Sequence, residues 1–188
     1  MLEYLKDRGR DSGKGMKWVG IATGAMLENG LSEGMLGFDL MWKSATIYGT
    51  GEGMWAASTL GWIGRTVVGV VEDLESEGGS GDYIYSLEFV TSQNEILAGL
   101  KDLDGKRFDV IKADVEECVR EGERRMEKGF FDGAMMLLER NVLFGEIGDT
   151  DVWKTEMDRA RNDSSLREAV RRIVEKLKRD GRSDCWCG

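Results

Sequence analysis

A chain of 188 residues, 41% apolar and 32% charged, has the make-up of one ordinary globular domain. Its net charge of −9 weighs against general nucleic-acid binding, which rests on clustered Lys and Arg. No apolar run approaches the ~18 residues of a membrane helix, and Met1-Leu2-Glu3-Tyr4-Leu5-Lys6 does not open like a signal peptide. The three cysteines, Cys118, Cys185 and Cys187, are too few for a disulfide framework. The cytoplasm or another reducing compartment is expected, with no membrane and no nucleic-acid partner. Histidine is absent, which removes every mechanism built on an imidazole base or ligand. Proline is absent too.

In chain order, residues 1–24 read as a loose N-terminal segment and 25–188 as a single domain. From Met26 to Met41 the spacing of Leu27, Leu31, Met35 and Leu36 suggests a helix, weakened by Gly30, Gly34 and Gly37. Ala45-Thr46-Ile47-Tyr48 reads as a strand running into Gly49-Thr50-Gly51-Glu52-Gly53, and Met54–Ile63 as the helix that follows. Thr66-Val67-Val68-Gly69-Val70-Val71 is β-branched and continuous, like a strand covered on both faces, and ends at Glu72-Asp73. Ile84–Val90 predicts a strand, Asn94–Leu100 a helix, Phe108–Ile111 a strand and Glu116–Lys128 a helix. Ala134–Leu138 reads as another buried strand. The last element is a helix opened by the capping box Ser165–Glu168, with the stripe Leu166, Ala169, Val170, Ile173, Val174 and Leu177. Short apolar strands alternating with helices predict an α/β, Rossmann-like, doubly wound and mostly parallel sheet.

In such sheets ligands bind beyond the carboxyl ends of the strands. Three of these ends carry signals. Gly49, Gly51 and Gly53 would let backbone approach a ligand and present N–H groups at a helix start. Glu72 or Asp73, about 20 residues on, would accept bonds from ribose hydroxyls. Asp114 follows the strand at Phe108–Ile111. The glycines are also consistent with a plain turn, Glu72 and Asp73 with a solvated strand end, and Asp114 with a helix N-cap. The third glycine comes one residue early for a dinucleotide's G-x-G-x-x-G, so the spacing points to S-adenosylmethionine, which carries no phosphate.

These residues resemble the class I S-adenosylmethionine-dependent O-methyltransferases of the caffeoyl-CoA and catechol type, over about Leu31 to Asp184. Ala45–Trp55 resembles that family's first motif, V-L-E-I-G-T-G-T-G-Y-S, and Val67–Glu75 its second strand with the following acid. Leu87–Leu97 resembles the adenine-binding segment, which places Gln93 on the cofactor. Phe108–Glu117 resembles F-D-L-V-F-I-D-A-D-K, which makes Asp114 the general base or a ligand to a divalent cation such as magnesium. Asn141-Val142-Leu143-Phe144 resembles the end of D-N-V-L-F, which makes Asn141 a second metal ligand. The chain departs from the family where Ile47 and Gln93 replace acids and where Arg140 puts a cation beside the metal position. It also ends near where the family's last strand pair would begin.

Two functions follow as expectations. One is S-adenosylmethionine-dependent methyl transfer to a small hydroxylated acceptor. The other, motivated by those departures, is a catalytically inactive methyltransferase-fold subunit acting as a homodimer or within a larger assembly. Trp18, Trp42, Trp153 and Trp186 are candidate interface residues for it. The basic run Arg167, Arg171, Arg172, Lys176, Lys178 and Arg179 reads mostly as a solvated helix face.

Overall fold

The computed structural model describes residues 3–4, 17–76, 82–105, 107–145 and 163–180. Eight strands run through it: β1 Val19–Ala22, β2 Ala25–Met26, β3 Phe38–Asp39, β4 Ser44–Tyr48, β5 Trp55–Ser58, β6 Asp82–Tyr85, β7 Phe89–Thr91 and β8 Asp109–Ala113. The helices are α1 Leu27–Ser32, α2 Leu60–Ser76, α3 Gln93–Asp104, α4 Val115–Glu127, α5 Phe131–Phe144 and α6 Asp163–Arg179. Parallel pairing joins β1 to β6, β2 to β5 and β4 to β8, while β3–β4 and β5–β7 are antiparallel. The strands form three small sheets, ordered β1-β6, β2-β5-β7 and β3-β4-β8, so the expected α/β class with parallel strands holds.

Four elements differ from the sequence reading. Residues 66–71 are not a strand but the middle of α2. There Trp62, Ile63, Thr66, Val70 and Leu74 are partly buried at helical spacing, while Val67, Val68 and Val71 face out. Two carboxylates hold the start of α2: Glu88 accepts from the Thr59 N–H at 2.8 Å and Glu28 from the Leu60 N–H at 3.0 Å. Those bonds satisfy donors that a helix start otherwise leaves open. Residues 134–138 lie inside α5, which packs on α4; a Cβ on Gly122 would meet Leu138 Cγ at 3.0 Å, so glycine permits this approach. Trp55–Ser58 is a strand, buried along its length between β2 and β7. The 26–41 span breaks into β2, α1 and β3, with positive φ at Gly34 and Gly37. In addition, β1 falls inside the segment expected to be loose.

Other elements match. The stripe Leu166, Ala169, Val170, Ile173, Val174 and Leu177 of α6 is buried against the core that α1 and α3 complete. Full burial of a Val, Leu or Ile side chain contributes ~1.5–3 kcal/mol relative to exposure. The helix begins at Asp163, so Ser165 stands inside it and not at its start. A capping box occurs instead on α3, where Ser92 Oγ accepts from the Glu95 N–H at 3.3 Å and Glu95 accepts from the Ser92 N–H at 3.0 Å.

The centre of the molecule is tied by Gln93, which is only 1% exposed. Its Nε2 donates to the Leu36 carbonyl at 2.9 Å and the Thr46 carbonyl at 3.0 Å, and its Oε1 accepts from the Tyr48 N–H at 2.8 Å. One side chain thus joins the loop before β3, strand β4 and the first turn of α3. Gln93→Leu removes these bonds at once and leaves buried partners unsatisfied, at roughly 1–3 kcal/mol for each group so stranded. The expected result is a loss of about 3 kcal/mol or more in urea unfolding, with the m-value unchanged.

Candidate functional site at the carboxyl ends of β4 and β8

Parallel strands β4 and β8 end side by side, Tyr48 registered against Ala113. Beyond them lie the 49–53 loop, the N-terminus of α4 and the last turns of α5. The loop connects β4 to β5 rather than a strand to a helix, which corrects the cradle expected for Gly49, Gly51 and Gly53. Its amides are spent internally: the Gly49 N–H donates to the Ala113 carbonyl at 2.9 Å and the Gly51 N–H to the Tyr48 carbonyl at 3.1 Å. The Gly51 carbonyl in turn accepts from the Asn94 N–H at 3.1 Å. Gly51 has φ +73°, and a Cβ there would lie 2.5 Å from Ile47 Cγ2, so glycine is required by packing as well as by conformation.

The other expected ligand residues are scattered. Glu72 and Asp73 sit on exposed turns of α2, not at a strand end, because the strand preceding them is helix. Gln93 is buried in its structural bonds. Asp114 is the N-cap of α4, its carboxylate accepting from the Glu117 N–H at 2.8 Å. Asn141 lies on an exposed face of α5. Among the described residues no three His, Cys, Asp or Glu side chains converge where they could hold a metal ion. Trp18 packs edge-on against Tyr83, Trp42 is exposed, and Trp153 and Trp186 lie outside the described residues.

What the strand ends do bring together is an aromatic and cationic cluster that the sequence reading did not assemble. Tyr48 stacks on Phe144 with centroids 4.9 Å apart and planes 5° from parallel. Trp55 meets the same Phe144 edge-on at 6.2 Å. The guanidinium of Arg140 lies 5.5 Å from the Tyr48 ring centre, a cation–π arrangement. Arg140 is only 7% exposed and Trp55 only 2%. Arg140 Nη1 and Trp55 Nε1 have no hydrogen-bond partner among the described residues. Arg140 is the residue whose charge departs from the family pattern beside the implied metal position, and that misfit is the signal the sequence carries.

Burial raises the Tyr48 phenol above its ordinary value, while the Arg140 charge pulls it back. Burial likewise raises the Cys118 thiol, with Arg140 opposing and the Asp114 and Glu117 carboxylates adding to the rise. Both groups are protonated at neutral pH, so Tyr48 offers an O–H and Cys118 is a poor nucleophile there. Elsewhere, an open cleft of about 230 Å³ is lined by Glu28, Thr59, Arg65, Glu88, Arg172 and Lys176. Its two carboxylates are those that hold the start of α2.

The fold is Rossmann-like α/β, as comparison with solved structures shows. Over 95% of this chain and 51% of the other, it is similar to a UDP-N-acetylglucosamine 4-epimerase from Methanobrevibacter ruminantium, with TM-score 0.56 and 16% identity. It is also similar to the Thermus thermophilus UDP-glucose 4-epimerase solved with NAD, with TM-score 0.52 and 14% identity over 94% of this chain and 50% of that one. In sequence it is 32% identical over 138 residues to the oxidoreductase aprR of Aspergillus flavus, which is 73% of this chain and 44% of that protein. It is 30% identical over 95 residues to the oxidoreductase poxI of Penicillium oxalicum, 50% of this chain and 30% of that protein. The chain therefore spans less than half the length of these curated relatives. No family model matches it.

These findings overturn the O-methyltransferase resemblance, and with it S-adenosylmethionine, methyl transfer and the inactive methyltransferase subunit. The physical reason is that the motif matches depended on a strand–glycine–helix order that the chain does not adopt. Separately, no helix among the described residues is long and apolar enough to cross a membrane.

The raised phenol has a sign that can be checked. A group bound more tightly to its proton in the folded state favours folding below its unfolded value, 10.0, and that contribution is lost as pH rises through the folded value. Arg140→Met removes the opposing charge, so the Tyr48 titration should move further upward. Difference absorbance of the phenolate, read against Tyr48→Phe, measures it.

Proposed function

We propose that this chain is the acceptor-side portion of a Rossmann-type oxidoreductase, the part that receives a small carbonyl-bearing substrate. The single observation that carries the reading is the cluster at the carboxyl ends of β4 and β8. There a protonated phenol, a buried guanidinium and a buried indole N–H, all hydrogen-bond donors, stand among aromatic walls. An apolar surface with a few convergent donors is the usual make-up of a small-molecule site, and an O–H donor suits a carbonyl oxygen that gains negative charge as it is reduced. The names of the sequence relatives support the oxidoreductase class.

A nicotinamide dinucleotide is the hydride carrier such a class implies, and the residues around this site do not fit its pyrophosphate. The loop amides at Gly49 and Gly51 are already bonded, and the N-termini of α2 and α4 are closed by the Glu28, Glu88 and Asp114 carboxylates. An anion there would meet like charge. These residues accordingly belong to the acceptor.

Tryptophan fluorescence of the purified chain, titrated with cyclohexanone, benzaldehyde and benzoquinone, tests this. Saturable quenching by at least one of them is expected, with no response to S-adenosylmethionine and no micromolar binding of NADH. Silence with every carbonyl compound, or micromolar NADH binding by this chain, would overturn the acceptor-side reading.

A further inference from the structure

We infer that Arg140 and Trp55 form a carboxylate-binding site beside the 49–53 loop, so that the acceptor substrate carries an acid group as well as a carbonyl. The inference deepens the acceptor-side reading and rests on it.

Arg140 is a charged side chain more than nine-tenths buried, with Nη1 unpaired and no ion pair among the described residues. Removing a cation from water without a counter-ion is strongly unfavourable. The stacking of its guanidinium on Tyr48 recovers only a small part of that cost. The chain had cheaper options on the same helix. Leu137 and Leu138 occupy inward positions of α5 with no polar group to satisfy, whereas Arg140 holds its charge against the aromatic wall.

A second donor stands on the same stack. Trp55 Nε1 is buried and unpaired, and its ring touches the Phe144 that Tyr48 covers. Two orphaned donors around one aromatic pair, one of them cationic, call for an acceptor with negative charge. A planar carboxylate suits the guanidinium fork.

Charge and shape favour a carboxylate over phosphate: one guanidinium fork matches a planar monoanion, whereas a phosphate dianion carries more charge than Arg140 balances. The 52–54 turn beside the cluster is exposed, and Gly53 brings no side chain against α5; a Cβ there would come only within 4.0 Å of the Phe144 carbonyl.

Melting temperature of the full chain, followed while benzoate, benzamide and inorganic phosphate are added, is the deciding measurement. Benzoate should raise it saturably, and benzamide and phosphate should not. Arg140→Met should itself melt no lower than the parent, because it removes an unpaired buried charge, yet bind benzoate about tenfold or more weaker. Arg140→Lys, which keeps the charge and loses the fork, should fall between them. Equal shifts with benzoate and benzamide, an equal shift with phosphate, or full benzoate binding by Arg140→Met would each overturn the inference. If carbonyl compounds still quench the tryptophan fluorescence in that case, the acceptor-side reading survives it. Failure of the carbonyl titration as well would remove both.

Discussion

The bonds of Gln93 hold the parts of this molecule that matter for its site in a single relation. The residue starts α3, yet its amide reaches back to Leu36 and Thr46 and forward to the backbone of Tyr48. Strand β4 therefore ends where α3 begins, and the turn that follows must leave sideways into β5. Asn94, the next residue, continues the clamp: its N–H donates to the Gly51 carbonyl and its Nδ2 to the Thr50 carbonyl at 3.1 Å. With the Gly49 and Gly51 amides and the Thr50 and Gly51 carbonyls committed, the first turn of the glycine loop has little left for a ligand. The loop is a structural corner, and the chemistry is displaced to the side chains around it.

That displacement explains why a cluster forms at Tyr48, Trp55, Arg140 and Phe144. Tyr48 closes β4 and Trp55 opens β5, so the corner turns two aromatics from successive strands of different sheets toward one helix. Helix α5 supplies Arg140 and Phe144 four residues apart, one turn along the same face. The site is polar at its edge and aromatic at its centre, and its cation has no ion pair among the described residues. Stability alone does not favour such an arrangement, since a buried cation with no ion pair is among the costlier features a core can carry. Residues that work against stability in this way mark places where function is retained.

Much of the architecture was legible from periodicity. The α6 stripe, the β4 and β8 strands and helices α3 and α4 were visible because local propensity and burial pattern agree there. Two failures were of one kind. In 66–71 and 134–138 a short apolar run has the same look as a buried strand or as the inner face of a helix, and β-branched residues tilted the choice. The wider spacing of Trp62, Ile63, Thr66, Val70 and Leu74, or of Ala134, Leu137 and Leu138, carries the helical period, but only across more than one turn. β-propensity differences reach only ~1 kcal/mol in a host protein, and a helix start held by two carboxylates with a packed inner face readily exceeds them. Misreading α2 carried Glu72 and Asp73 with it, since a strand end that does not exist cannot position a ribose ligand.

By itself, the sequence determined the α/β class, the amphipathic helices and the exclusion of histidine chemistry, because these depend on composition and on spacings within single elements. Tertiary structure alone decided that the glycine run is a corner, that Gln93 is a tie rather than a ligand, and that Arg140 faces Tyr48 across 92 positions of chain (140 − 48). The reason is physical. A glycine, an amide or a guanidinium has the same local preferences whether it meets a ligand or its own backbone. What separates the two cases is which partners the packed chain has already supplied: three to Gln93, and none to Arg140 Nη1 or Trp55 Nε1.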